Sequence, residues 1–209
     1  MAREARPRAL STARMEAFSD GVFAVAITLL VLEISVPDGS ADDLLGAILD
    51  QWPSYLAYVV SFATVGAIWL GHAAITDHLD HADALLMRLN LLLLLLVSFV
   101  PFPTRLLAES VEHEDAGRVA STFYGLTLLS IATVVSVLWR HAARVHLVRD
   151  DVADADVAAI TARRTPGLAF YVVMIGIGIF VPVAAVLGYL AIALFYLVPV
   201  GLLRRRATG

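Results

Sequence analysis

Long apolar stretches alternate with short polar ones along this chain, at lengths that predict helices rather than strands. Six segments stand out, at about 15–36, 53–72, 85–106, 119–140, 167–183 and 186–203. Each approximates the ~20 residues that a membrane-crossing helix needs. The last two merge into one uncharged run from Gly167 to Leu203. That run is too long for a single helix, and it predicts a tight hairpin turning near Pro182 to Gly188. Residues 141–166 form the one sizeable polar connection. Their mixed charge and helix-forming residues predict a solvated linker carrying a short surface helix. The first segment is longer than a signal-peptide core and is interrupted by Glu33, so it is expected to stay in the mature protein.

Composition settles the solvent. Of 209 residues, 59% are apolar and 16% charged, whereas a soluble domain seldom exceeds about half apolar. The reading is an all-α integral membrane protein, one domain over 1–209 with six transmembrane helices. Cysteine is absent, which excludes disulfides and thiolate metal sites. All fifteen basic residues are arginine. With the N-terminus inside, thirteen fall on inner segments, and only Arg105 and Arg118 lie outside. The positive-inside rule therefore puts both termini in the cytoplasm. No phosphate-binding loop or soluble domain is visible, which argues against ATP-driven transport by this chain. Nothing points to nucleic acid.

Charge within the first segment then demands a reason. In RMEAFSDGVFAVAITLLVLEI, residues 14–34, only twelve uncharged positions separate Asp20 from Glu33. They cover roughly 18 Å as a helix, short of a hydrocarbon core of about 30 Å. Topology puts Asp20, His72 and Asn90 at a similar depth on three successive helices. A carboxylate at the bilayer centre costs about 2.5–3.5 kcal/mol, which a hydrogen-bonding partner offsets. Two readings stand: a lock between helices, or a proton relay. At about 100° per residue, Gly21, Val25, Thr28, Leu29 and Leu32 form a stripe, with Arg14 and Phe18 on its side. Phe23, Ile27, Leu30 and Ile34 lie opposite, with Asp20 beside them. Asp20 is thus expected on the packing side, within reach of His72 and Asn90. The stripe itself suits lipid, a partner helix or a pore axis.

Smaller constellations are weaker. Asp77, His78, Asp80, His81 and Asp83 have spacing that a divalent metal can use, but a solvated acidic turn explains them and no metal site is expected. Pro101 and Pro103 are expected to bend or end the third helix. Glu33 suits either an outer pore mouth or a snorkelling interfacial position. No nucleophile–base pair sits at membrane depth, so the chain is not read as an enzyme.

Three motifs occur in order: Arg14-x-x-x-Phe18-Ser19-Asp20 opening the first helix, IWLGH with Trp69 and His72, and NLLLLLLVSFVPFPT from Asn90 to Thr104. Together they resemble the transmembrane protein 175 family, potassium channels of endolysosomes and bacteria. The motifs cover about the first half of the chain. The resemblance implies a first helix lining the pore and no carbonyl filter. It also implies a hydrophobic gate of Val25, Leu29 and Leu32, with Thr28 among them. Val25 is smaller than the residue the family commonly carries there. Arg14, Phe18, Ser19, Asp20, Trp69, His72 and Asn90 would form a structural or gating network. One such motif implies a single six-helix repeat assembling as a homotetramer in the lipid bilayer of a bacterial inner membrane. It would pass K+ and other monovalent cations without a cofactor. The alternative is a proton-permeable or proton-coupled transporter using Asp20 and His72.

Overall fold

The computed structural model describes residues 12–35, 39–110 and 112–197. The arginine-rich ends at 1–11 and 198–209 lie outside the described residues, as does the last part of the sixth predicted segment. Eight α-helices are described: α1 Thr12–Leu29, α2 Leu44–Asp50, α3 Trp52–Thr76, α4 Ala84–Phe99, α5 Pro101–Ser110, α6 Glu114–Arg144, α7 Asp154–Gly178 and α8 Pro182–Leu197. No strand occurs among the described residues; there is one isolated bridge between Leu79 and Val148.

Four stretches are long and apolar enough to cross a membrane: Thr12–Glu33, Trp52–Thr76, Ala84–Ser110 and Glu114–Arg144. Gly167–Gly178 and Pro182–Leu197 are shorter apolar helices. The polar connection is more helical than its composition suggests. α6 runs on to Arg144, and α7 already begins at Asp154, so much of 141–166 extends the flanking helices. The apolar turn also shifts. It occupies 179–181, and Pro182 opens α8 instead of lying within the turn. Proline suits a first helical position because its missing N–H would have no partner there anyway.

The proline pair ends one helix and starts the next. Pro101 and Pro103 lack the N–H groups that would bond back to Val97 and Phe99, so α4 stops at Phe99 and α5 starts at Pro101. Val100 N–H tightens onto Val97 O at 3.1 Å across the junction. At the end of α1 the helix narrows as well, passing into a 3₁₀ turn over Leu30–Glu33.

Two apolar clusters hold the bundle. One joins α1, α3, α4 and α6 through residues such as Phe23, Leu30, Leu86, Leu93, Ile131 and Trp139. The other joins α3, α5, α6, α7 and α8 around Val60, Leu107, Tyr124, Tyr171 and Tyr189. Glycine at 125 makes room at this second centre, since a Cβ there would run into the Tyr189 hydroxyl and Ile175. Buried hydroxyls satisfy one another: Ser61 lies 2.8 Å from Thr104 and 3.0 Å from Tyr124. In a medium without water such pairing removes the cost of an orphan polar group.

Candidate functional site

The site is built on the two faces of α1. Met15, Ser19, Phe23, Ala26 and Leu30 recur at helical spacing and are buried against the bundle. α1 packs on α3 and α4. On the other side Arg14, Phe18, Gly21, Thr28 and Leu29 are exposed, with Val25 at 57% and Leu32 at 71%. The stripe drawn from the sequence is therefore left uncovered by the rest of this chain. The Thr28 hydroxyl donates to Val25 O at 2.9 Å, which leaves its oxygen lone pairs facing outward.

The buried face carries a chain of three polar side chains. His72 Nε2 lies 2.8 Å from Asn90 Oδ1. Asn90 Nδ2 donates to Ser19 Oγ at 3.0 Å, and Ser19 Oγ donates to Met15 O at 2.7 Å. All three side chains are buried. Because the Asn90 amide gives its N–H to Ser19, its oxygen is the acceptor, and His72 must carry its proton on Nε2. The Phe23 ring sits 5.6 Å from the His72 ring and closes the chain on one side. α1, α3 and α4 are thus tied through one continuous hydrogen-bond path, as buried polar groups require.

Asp20 is not on this path. It is exposed, and it accepts a 2.9 Å hydrogen bond from Trp69 Nε1. This corrects the expectation that His72 and Asn90 reach it. The buried face is centred near Ser19, and at about 100° per residue the next side chain swings out to the flank of α1. There it meets α3 through an indole instead of an imidazole. Ser19 does the work expected of its neighbour. Arg14 and Phe18 lie on the exposed side and do not join the buried path.

At the other end of α1, half-buried Glu33 borders a cavity of about 580 Å³ with Leu32, Asp50, Gln51, Arg105 and Glu109. The acidic turn after α3 is spent on local structure. Asp83 caps α4, accepting from Leu86 N–H at 2.7 Å, and takes a second bond from His141 Nε2 at 2.8 Å. Burial alone would raise the Asp83 carboxyl, but the Leu86 N–H and His141 outweigh it and hold it below its ordinary value. His81 pairs with Asp80 at 2.9 Å. His78 donates to Ala74 O. Among the described residues no three such groups converge on one point. His141 had no visible signal in the sequence, because its partner lies 58 positions away.

Helices of this length and apolarity, tied by buried polar bonds while one face of the first stays bare, define a multi-pass helical membrane protein. Comparison narrows the class. A sequence profile described as endosomal/lysosomal potassium channel TMEM175 matches residues 14–101. A potassium channel of Chamaesiphon minutus is 46% identical over 171 residues, covering 80% of this chain and 84% of that one. The crystal structure of a lysosomal potassium-selective channel TMEM175 homolog from Chamaesiphon minutus superposes with a TM-score of 0.81 at 41% identity, over 88% of this chain and 95% of the other. The endosomal/lysosomal proton channel TMEM175 of Danio rerio is 41% identical over 110 residues, 48% of this chain and 21% of its own length. The chain belongs to the TMEM175 family of ion channels and is not an enzyme.

Proposed function

We propose that this chain is one subunit of a homotetrameric, potassium-permeable cation channel whose axis is lined by the exposed face of α1. The observation that carries this reading is that face. Val25, Thr28, Leu29 and Leu32 are uncovered, while the opposite face is fixed by Ser19, Asn90 and His72. One helix cannot enclose an axis, so the lining needs several copies; four is what the family resemblance implies. The family membership and the potassium channels among its relatives support the ion.

Layers of valine and leucine offer no ligand to a cation. Potassium would therefore pass with part of its water, and the apolar rings would govern wetting of the pore. Thr28, its proton turned to Val25 O, supplies oxygen toward the ion. Val25 is the smaller layer, which moves the narrowest point toward Leu29 and Leu32. Glu33 at the outer end attracts cations. No cofactor is required. The arginine distribution supports six spans with both termini cytoplasmic in a bacterial inner membrane.

The vertebrate relatives named as proton channels keep a second reading alive, in which protons use the same axis. A relay through Asp20 and His72 has less support, because these two side chains bond to different partners. Purified protein in planar bilayers under K+/Na+ bi-ionic conditions tests the reading. A reversal potential displaced toward potassium is expected. Current that follows only an imposed proton gradient would sink it.

A further inference from the structure

α2 is seven residues long, and none of its side chains is buried. Its large residues nevertheless share one side. Leu44, Leu45, Ile48 and Leu49, with Trp52 one turn further on, span about 140° of the helix circumference at 100° per residue. Leu45 is 69% exposed and Leu49 64%. Asp43 and Asp50 lie on the opposite side, with Gln51 on the flank next to Leu44. That polar side is turned inward, since Asp50 and Gln51 border the cavity shared with Glu33 of α1 and with Arg105 and Glu109 of α5. The apolar side consequently points away from the chain's own body.

Hydrogen bonds, not apolar packing, set this orientation. Asp43 caps the helix by accepting from Gly46 N–H at 3.0 Å. Tyr55 Oη donates to Ile48 O at 3.0 Å and fastens the far end of α2 to the first turn of α3. The Ser54 hydroxyl bonds Gln51 at 3.1 Å. A helix held in place so that its leucines face outward needs a medium for them.

We propose that α2 lies in the plane of the outer membrane–water boundary, with Leu44, Leu45, Ile48, Leu49 and Trp52 seated in the lipid surface. Its position favours lipid over any other occupant. α3 starts two residues after α2 ends and runs 25 residues, about 37 Å against a hydrocarbon core of about 30 Å. The first turn of α3, with Trp52 and Tyr55, therefore falls at the headgroup level, where such aromatics concentrate. α2 is at the same level and amphipathic in the sense of an interfacial helix. Its polar side is acidic, through Asp42, Asp43 and Asp50, so anionic headgroups do not attract it. The anchorage is apolar and insensitive to salt. It ties the outer end of α1 to the depth of the lipid surface whichever ion the channel passes.

The absence of cysteine makes the test clean. Single cysteines at Leu45, Leu49 and Asp50 of the full chain carry an environment-sensitive fluorophore, and each protein is reconstituted in phosphatidylcholine vesicles with iodide on both sides. Labels at Leu45 and Leu49 should shift to the blue, lose iodide quenching and be quenched by brominated acyl chains. A label at the exposed Asp50 should do the reverse. Iodide quenching at Leu45 and Leu49 equal to that at Asp50 would overturn the proposal. So would protection from both quenchers there, which would place the face against a second copy of the chain.

Discussion

Trp69 of α3 and Asp20 of α1 meet at 2.9 Å on the exposed flank of the helix pair, outside the buried path through Ser19, Asn90 and His72. The two helices are therefore tied twice, by an exposed bond at the flank and, through Asn90 of α4, by a buried path in the core. These ties differ in what their removal should cost.

Trp69→Phe removes the indole donor but leaves the Asp20 carboxylate free to take other donors. A loss of roughly 1 kcal/mol or less in assembly stability is expected. Asp20→Asn keeps an acceptor oxygen and should cost less still. Thermal unfolding in detergent, read by intrinsic fluorescence, measures both, and a large loss in either would mean that the flank bond is structurally central.

Asn90→Ala takes the acceptor from the buried His72 N–H, while the Ser19 hydroxyl loses a donor but keeps its bond to Met15 O. An orphaned buried group costs about 1–3 kcal/mol, so Asn90→Ala should be worse than either substitution at the flank. Ser19→Ala combined with Asn90→Ala should cost less than the sum of the two, by about 0.5–3 kcal/mol, because they act on one path. Strict additivity in the unfolding midpoints would show that the path is not a unit.

The two faces of α1 predict opposite phenotypes. Phe23→Ala and Leu30→Ala cut into the core and should destabilise by about 2–5 kcal/mol. Leu29→Ala and Leu32→Ala should leave the unfolding midpoint and oligomer size nearly unchanged while altering single-channel conductance. If conductance stays constant and assembly fails instead, the bare face is a packing surface and not a pore lining.

Asp83 gives a pH signature. Its carboxyl is held below its ordinary value in the folded chain, so its contribution to stability is present above the unfolded value of about 3.9 and is lost as pH falls through the lower folded one. Asp83→Ala should cost about 1 kcal/mol for the lost helix cap at neutral pH. The gap between wild type and variant should close as pH drops below about 4. A gap in unfolding temperature that persists at low pH would refute this account.

Much of this was legible in the chain because lipid imposes simple rules. Apolar length gave the helices, and a 100° wheel gave the bare stripe of Val25, Thr28, Leu29 and Leu32, since neither depends on distant residues. Where the reading slipped, small phase errors or long-range contacts were responsible. The wheel puts Asp20 beside the bulky face, whereas the core stripe centres on its neighbour Ser19 and leaves Asp20 at the flank. α7 begins at Asp154 rather than near 167 because polarity rules out membrane burial without ruling out helix. α2 leaves no hydropathy signal, although Asp43 before Leu44-Leu45-x-x-Ile48-Leu49 is a readable cap and amphipathic turn. Seven residues are too few for a hydropathy window to notice.

The 3₁₀ turn at the end of α1 changes the geometry of the bare face. In an α-helix Leu32 would sit about 60° round the axis from Leu29, but at three residues per turn side chains i and i+3 eclipse. From Leu29, the last α-helical residue, through Leu30–Glu33 the chain tightens in this way. Leu32 is thus brought in line above Leu29, about 6 Å further along at 2.0 Å per residue. If this face lines a fourfold axis as proposed, two aligned leucine rings would form a short dry sleeve instead of two staggered pinches. Water must then vacate or fill the whole sleeve together, so opening becomes a matter of wetting a column rather than widening a single ring.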